Sequence, residues 1–277
     1  MLPVIVTAIF LGAGVLAAGE KGQKIAELIN CGEEVIMKIM MMIIKFTPIG
    51  VFCLMTNVVA VNGADIIGKL ALIIGVAYIG YIVHVVVVYG LSVKFLAKMS
   101  PLAFFKGIAP AMITAFTTTS SNATLPVNIE CCNKMGAEPE ISSFVLPLGA
   151  TMHMDGSAMS AIIKVAFLFG MFGMDFGTKE AILAIIVAVF SSVAMSGVPG
   201  GGGTGELVLC TIFFPDNLAV AYTVALALGN LVDPPATMVN AAGDYVVSFI
   251  VSRYVDGKDW LQKRLSKKTE ADTSETR

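Results

Sequence analysis

The sequence predicts an all-α polytopic membrane protein in which two re-entrant helical hairpins and interrupted helices lie among full membrane spans. Three observations carry that reading. Of 277 residues, 56% are hydrophobic and only 14% charged, with a mean hydropathy of +0.84; soluble domains run at about 25% charged. Several windows supply the roughly 20 apolar residues that a spanning helix needs. Two further segments have short apolar arms around a polar or glycine-rich centre, which no plain span shows.

Five stretches read as spans in chain order: residues 2–18, 35–61, 69–96, 141–172 and 218–253. The first has neither a charged leader nor a small-residue cleavage site, so it is expected to be a membrane helix rather than a removable signal. Segments 101–131 and 178–215 are centred on FTTTSSNATLP and SGVPGGGGTGE. Their tips carry backbone groups that hydrocarbon cannot satisfy, and such backbone survives at depth only inside protein or beside a wet cavity. Both are therefore expected to be hairpins that enter and leave on one side.

Charge orients the chain. Lys94, Lys98 and Lys106 flank the entry to the first hairpin, and Arg253, Lys258, Lys263, Arg264, Lys267 and Lys268 follow the last span. The positive-inside rule makes both places cytoplasmic. The connections AVNGAD and GMDFGTKE then face outward, so the hairpins enter from opposite sides and meet near the midplane. Broken elements in corresponding halves point to a transporter binding site. The polar tail KKTEADTSETR has no apolar period and reads as disordered.

Several function classes are set aside. A net charge of -2 without a basic block gives no footprint for nucleic acid. Cys31, Cys53, Cys131, Cys132 and Cys210 lack metal-ligand spacing and read as small apolar fillers. Gly200, Gly202 and Gly205 fit GxGxxG formally but follow a helical arm rather than a strand, so they form no dinucleotide site. Repeated glycine there suits a gate that must change its backbone angles. No nucleophile and base occur together at a water-accessible place, which argues against an enzyme.

The polar residues inside apolar helices are the candidates. Asp233, Ala236, Asn240 and Asp244 fall at spacings of three and four on one face of the last span. A charge at membrane depth costs at least ~2.5 kcal/mol, so such groups are placed against a partner, an ion or a substrate. Pro234 and Pro235 remove backbone donors and free upstream carbonyls for a hard cation. The plainer alternative is a kinked packing helix whose acids pair with lysines. The span 141–172 is interrupted by Thr151, His153, Asp155, Gly156 and Ser157, which reads as the second half of an ion site. His84, among valines, reads as an interhelical hydrogen bonder. Lys164 either snorkels or pairs with a carboxylate such as Glu206. The Thr117 to Ser121 tip offers hydroxyls and amides to a carboxylate, or simply makes a turn.

Four motifs in order resemble the dicarboxylate/amino acid:cation symporters, the glutamate and neutral amino-acid transporter family. Ser120-Ser121-Asn122-Ala123-Thr124-Leu125-Pro126 resembles its serine-rich first hairpin. Leu146-Pro147-Leu148-Gly149-Ala150-Thr151 with Met154-Asp155-Gly156 resembles its broken seventh helix, and Gly197-Val198-Pro199-Gly200 its second hairpin tip. Asp233 with Thr237, Asn240, Gly243 and Asp244 resembles its eighth helix, and Pro48-Ile49-Gly50-Val51-Phe52 its fifth.

The resemblance implies a glutamate-transporter-like fold, a homotrimer of the complete protein in the bacterial inner membrane with a cytoplasmic C-terminus, and elevator-like sodium-coupled transport. Residues 1–67 would be partial scaffold, 68–253 transport domain and 254–277 cytoplasmic tail. Asp233 would hold the substrate ammonium, and Asn240 with the Ser120 and Ser121 region its α-carboxylate. Ser157, Ala236 and Thr237 would line the pocket, with Val198 and Gly202 closing over it. One sodium would sit among Asp244 and the carbonyls of Gly149, His153 and Asn240. A second would use carbonyls near Thr151, Ser192, Val193 and Met195, and a third would join Asp155 to a helix that this chain lacks.

Three departures qualify those expectations. Ala236 stands where members for acidic substrates carry an arginine, so a neutral amino acid is expected, with an acidic amino acid or dicarboxylate as the alternative. His153 stands where asparagine is usual, which opens proton coupling at that site. The chain begins inside the family's fourth helix, and a truncated gene model is expected. The rival readings are a non-transporting fragment or assembly component, and a passive channel.

Overall fold

Apolar side chains recur without long polar breaks, and in the computed structural model every regular element is helical. The structure describes residues 2–46, 49–50, 52–53, 56, 59–60, 63, 65–193, 195, 197, 200–257 and 260–261, with no strand among them. The chain divides into two compact units, residues 1–56 and 57–277.

The first unit holds α1 (Leu2–Ala17) and α2 (Glu20–Ile44). The turn between them is tight. Gly19 has φ of 57°, and a Cβ on Gly22 would strike the Val15 carbonyl. Helix α2 begins well before the expected span 35–61, because Glu20, Lys21, Lys24 and Glu27 are good helix formers although too polar for a span. Part of that span, with Pro48 and Val51 of the fifth-helix motif, lies outside the described residues.

The second unit opens with α3 (Asp65–Val83), which continues through a π-helical turn (His84–Tyr89), a short α turn (Gly90–Ser92) and a second π turn (Val93–Ala97). It ends at Lys98 in the left-handed region, φ 59°. The last carbonyls of a helix need outside donors. Here Arg253 Nη1 donates to Phe95 O at 3.4 Å and to Leu96 O, and Trp260 Nε1 to Ala97 O at 3.1 Å.

Helices α4 (Pro101–Thr118) and α5 (Ser121–Lys134) form a hairpin. Pro101 opens α4 at a position where its missing N–H costs nothing. Thr119, at φ 51°, reverses the chain, and Ser120 Oγ caps α5 by accepting from Ala123 N at 3.1 Å. Next comes a helix in two pieces, α6 (Pro139–Met152) and α7 (Asp155–Met171), with His153 and Met154 outside helical geometry between them. Helices α8 (Thr178–Val193) and α9 (Gly203–Phe213) flank the second glycine-rich tip.

The last helix, α10 (Leu218–Asp256), runs unbroken for 39 residues, about 58 Å at 1.5 Å per residue. The interruption expected at Pro234-Pro235 does not occur. Pro235 cannot donate to the Leu231 carbonyl, and Tyr78 Oη reaches that carbonyl from α3 at 3.4 Å instead. Helix α10 is the axis of the unit and packs on α3, α4, α5, α6, α7 and α9. Phe104, Ile108, Tyr245, Phe249 and Trp260 are fully buried around it, with Trp260 stacked on Phe249 at 5.7 Å.

Outward-facing positions are also apolar: Leu72, Leu102, Phe144 and Phe190 are exposed. Among the described residues three helices, Ile66–Ala97, Pro139–Met171 and Pro215–Asp256, are long and apolar enough to cross a membrane. Most of the tail 254–277 lies outside the described residues.

Candidate functional site

The two tip segments, the broken helix and the continuous α10 converge on one cavity. It is lined by Thr119 and Ser121 from the first hairpin, Met154, Ser157, Ser160, Ala161 and Lys164 from the broken helix, and Met195, Gly197, Gly200, Gly201, Gly202 and Glu206 from the second hairpin. Asp233, Thr237 and Asn240 of α10 complete it. Of the residues expected to bind substrate, Ser121, Ser157, Gly202, Asp233, Thr237 and Asn240 therefore share one wall. Val198 lies outside the described residues. Ala236 is buried in the core beside Val232 and Val239 and does not line the cavity.

The two hairpin tips are tied to each other. The Gly197 carbonyl accepts from Asn122 N at 3.0 Å and from Ser120 Oγ at 2.8 Å. A Cβ at Gly197 would press on Asn122 Oδ1 at 2.8 Å and on the Ala150 carbonyl at 2.5 Å, so glycine permits this approach. Ser120 thus joins the tips from behind the cavity rather than lining it.

The break in the helix is held open from α10. The first amides of a helix have no partner within it, and α7 has no side-chain cap of its own. Asn240 Oδ1 accepts from Gly156 N at 2.8 Å and Ser157 N at 3.3 Å, and Asn240 Nδ2 donates to Ser157 Oγ at 3.0 Å. A Cβ at Gly156 would collide with the Ala236 carbonyl, which explains how closely α7 and α10 approach.

Two carboxylates flank the break, Asp155 half-buried and Asp244 buried. Asp244 is 1% exposed, and neither of its oxygens has a hydrogen-bond partner among the described residues. His153 Nδ1 lies 3.3 Å from Asp244 Oδ1 without hydrogen-bond geometry, and a Cβ at Gly149 would strike the same oxygen. Asp155, in contrast, is surrounded by donors. Its Oδ2 is 2.7 Å from His84 Nε2, accepts from Tyr89 Oη and lies 3.8 Å from His153 Nε2, while Oδ1 accepts from Gly156 N at 2.9 Å.

His84 and Tyr89 are functional neighbours that the sequence did not indicate as a pair. In an α-helix residues five apart point about 140° away from each other, whereas i→i+5 bonding brings them to nearly one face. The π turn His84–Tyr89 does this, so Asp155 finds partners on α3 of its own chain.

Of the residues whose carbonyls are expected to hold the second ion, Ser192 and Met195 are neighbours, the Ser192 carbonyl accepting from Met195 N at 3.0 Å. Ser192 is buried with Oγ bonded to Val189 O at 2.9 Å, Val193 is exposed, and Thr151 is exposed with Oγ1 bonded to Leu148 O at 2.9 Å. Met195 alone of this set reaches the cavity. No group of three His, Cys, Asp or Glu side chains among the described residues converges as for a transition metal. A hard monovalent ion takes carbonyl and carboxylate oxygens instead, and an orphaned buried carboxylate such as Asp244 fits one.

Lys164 is the second group that sequence alone left open. Its Nζ donates to Glu206 Oε1 and lies 3.7 Å from Asp233 Oδ1, with Lys164 and Glu206 both buried. A cation and an acid standing alone in apolar helices were the available signal, but their pairing spans 42 positions.

A family model described as the sodium:dicarboxylate symporter family matches residues 1–254. The chain is 31% identical over 268 residues to the putative sodium-dependent excitatory amino acid transporter glt-4 of Caenorhabditis elegans, covering 95% of this chain and 52% of that protein. It is 32% identical over 256 residues to excitatory amino acid transporter 3 of Homo sapiens, covering 91% and 48%. It is also 30% identical over 260 residues to the human neutral amino acid transporter B(0), covering 92% and 48%. The chain spans about half the length of these relatives. With cavity, broken helix and motif order in agreement with that match, the chain belongs to the sodium:dicarboxylate symporter family.

Proposed function

We propose that the chain forms the substrate- and ion-binding core of a sodium-coupled symporter for a neutral amino acid, in a membrane and within a homotrimer whose transport unit moves past a scaffold. The observation that carries this reading is the lining of one cavity by Asp233, Thr237, Asn240, Ser121 and Ser157. Asp233, partly open to the cavity, takes the substrate ammonium. Hydroxyls and the Asn240 amide take its carboxylate. The relatives named for excitatory and for neutral amino acids are about equally similar, so the choice rests on the lining. Among the described residues its one cation, Lys164, is already bound to Glu206, and Ala236 offers no charge. An acidic side chain therefore has no free partner.

Sodium coupling rests on the family and on Asp244, whose buried unpartnered oxygens suit a cation held with backbone carbonyls near Gly149 and Asn240. The ion supplies charge compensation for that carboxylate when bound. Proton exchange at His153 is the variant reading, favoured by its nearness to both Asp155 and Asp244. Transport that stays flat from about pH 5 to about pH 8 and unchanged in His153→Asn would rule the variant out.

A substrate panel on the chain in lipid nanodiscs, with and without sodium, tests the main reading. Serine, alanine or threonine should bind only with sodium, and Asp233→Asn should abolish that binding. Tighter binding of glutamate or aspartate than of every neutral amino acid would overturn it.

A further inference from the structure

The cavity wall contains a charged pair that the reading above uses only as an absence of free cation. Lys164 on α7 and Glu206 on α9 are 5% and 3% exposed and bound through Glu206 Oε1. Room for them is built into α10: a Cβ at Gly229 would come within 2.6 Å of Glu206 Oε1 and 3.2 Å of Lys164 Nζ. The other oxygen, Glu206 Oε2, is buried without a hydrogen-bond partner among the described residues, although the residue lines the cavity. An acceptor in that state costs free energy until something donates to it.

Charge counting narrows what can donate. Lys164 contributes +1 and Glu206 and Asp233 contribute -1 each, so the lining sums to -1. The substrate ammonium neutralises that remainder at Asp233. The substrate side chain then faces a lysine already engaged and a carboxylate with a vacant lone pair. A side-chain carboxylate meets like charge there in a water-poor site, whereas a hydroxyl donates to it.

We propose that the Lys164–Glu206 pair is the side-chain selector of this site, refusing acidic side chains and favouring hydrogen-bond donors through Glu206 Oε2. The proposal rests on the amino-acid reading of the cavity. The competing role is a bridge that only holds α9 against α7. Buried ion pairs are often replaceable by apolar groups without loss of fold, so the two roles are separable.

The test compares sodium-dependent binding of labelled serine, alanine and aspartate to the chain in nanodiscs. In the unmodified chain serine should exceed alanine about tenfold, as for a hydrogen bond to a charged group. Glu206→Gln releases Lys164 toward the substrate. The serine preference should fall about tenfold and aspartate binding should rise about tenfold. In Lys164→Met/Glu206→Leu, which removes both charges, the serine-to-alanine ratio should approach one and aspartate should gain nothing.

A Glu206→Gln chain that ranks the three ligands as the unmodified chain does would overturn the selector, as would a double variant that keeps the serine preference. Neutral binding in the unmodified chain with either result leaves the amino-acid reading standing. Absence of any amino-acid binding there would sink that reading, and the selector with it.

Discussion

Asp155 and Asp244 sit at the two ends of His153, and their surroundings treat them oppositely. Asp155 has donors on both oxygens, from His84, Tyr89 and Gly156. Asp244 is more deeply buried and has none with hydrogen-bond geometry. Folding alone does not favour an uncompensated carboxylate in an apolar bundle, since a buried charge without a partner is costly. A carboxylate with saturated oxygens organises the protein around itself. One left open is suited to an arriving cation. The difference is in hydrogen bonding: one acid of this cluster is saturated by donors of the protein, and the other keeps both oxygens open.

Neutralising each acid in turn breaks the comparison most strongly. Asp244→Asn should weaken the apparent affinity for sodium by about 100-fold, or ~2.7 kcal/mol, read as the sodium dependence of amino-acid binding. In sodium-free buffer the same variant should melt close to the temperature of the unmodified chain, because the carboxylate removed makes no hydrogen bond among the described residues and has only the His153 ring nitrogen, 3.3 Å away, beside it. Asp155→Asn should lower the melting temperature with and without sodium, by the equivalent of ~2 kcal/mol, since two side-chain donors lose a charged acceptor. If Asp244→Asn destabilises as Asp155→Asn does and leaves sodium affinity intact, the assignment of the two acids is reversed. The smallest effect sharpens the picture further. Tyr89→Phe removes the one hydroxyl proton that Asp155 and the Val239 carbonyl share as acceptors, and should cost ~1 kcal/mol in thermal unfolding with no change in sodium affinity.

Much of the site was legible because its signals are local. The Ser/Thr tip, the glycine-rich tip and the Met154-Asp155-Gly156 break each depart from an apolar period within a few residues, and the structure gathers residues from all of them around one cavity. Residues that act through long-range partners were not legible. The continuity of α10 through Pro234-Pro235 depends on packing against elements distant in sequence, including Tyr78 about one hundred and fifty positions away. His84 is the interhelical hydrogen bonder that the sequence indicates, but its partner Asp155 and its neighbour Tyr89 are not legible, because only the π turn, which changes the helical period, brings them together. Helix α2 was expected to start at its apolar stretch, but its charged first turns are as helix-prone as the rest and extend it back to Glu20.

The account depends most directly on a cargo held between Asp233 and the hairpin tips with a sodium ion at Asp244. Equilibrium binding of a labelled neutral amino acid to the chain in nanodiscs, measured across a sodium titration at fixed ionic strength, tests it. The expected result is saturable binding that appears with sodium, is displaced by unlabelled serine and is lost in Asp233→Asn. Binding that ignores sodium, or that survives in Asp233→Asn, would contradict it.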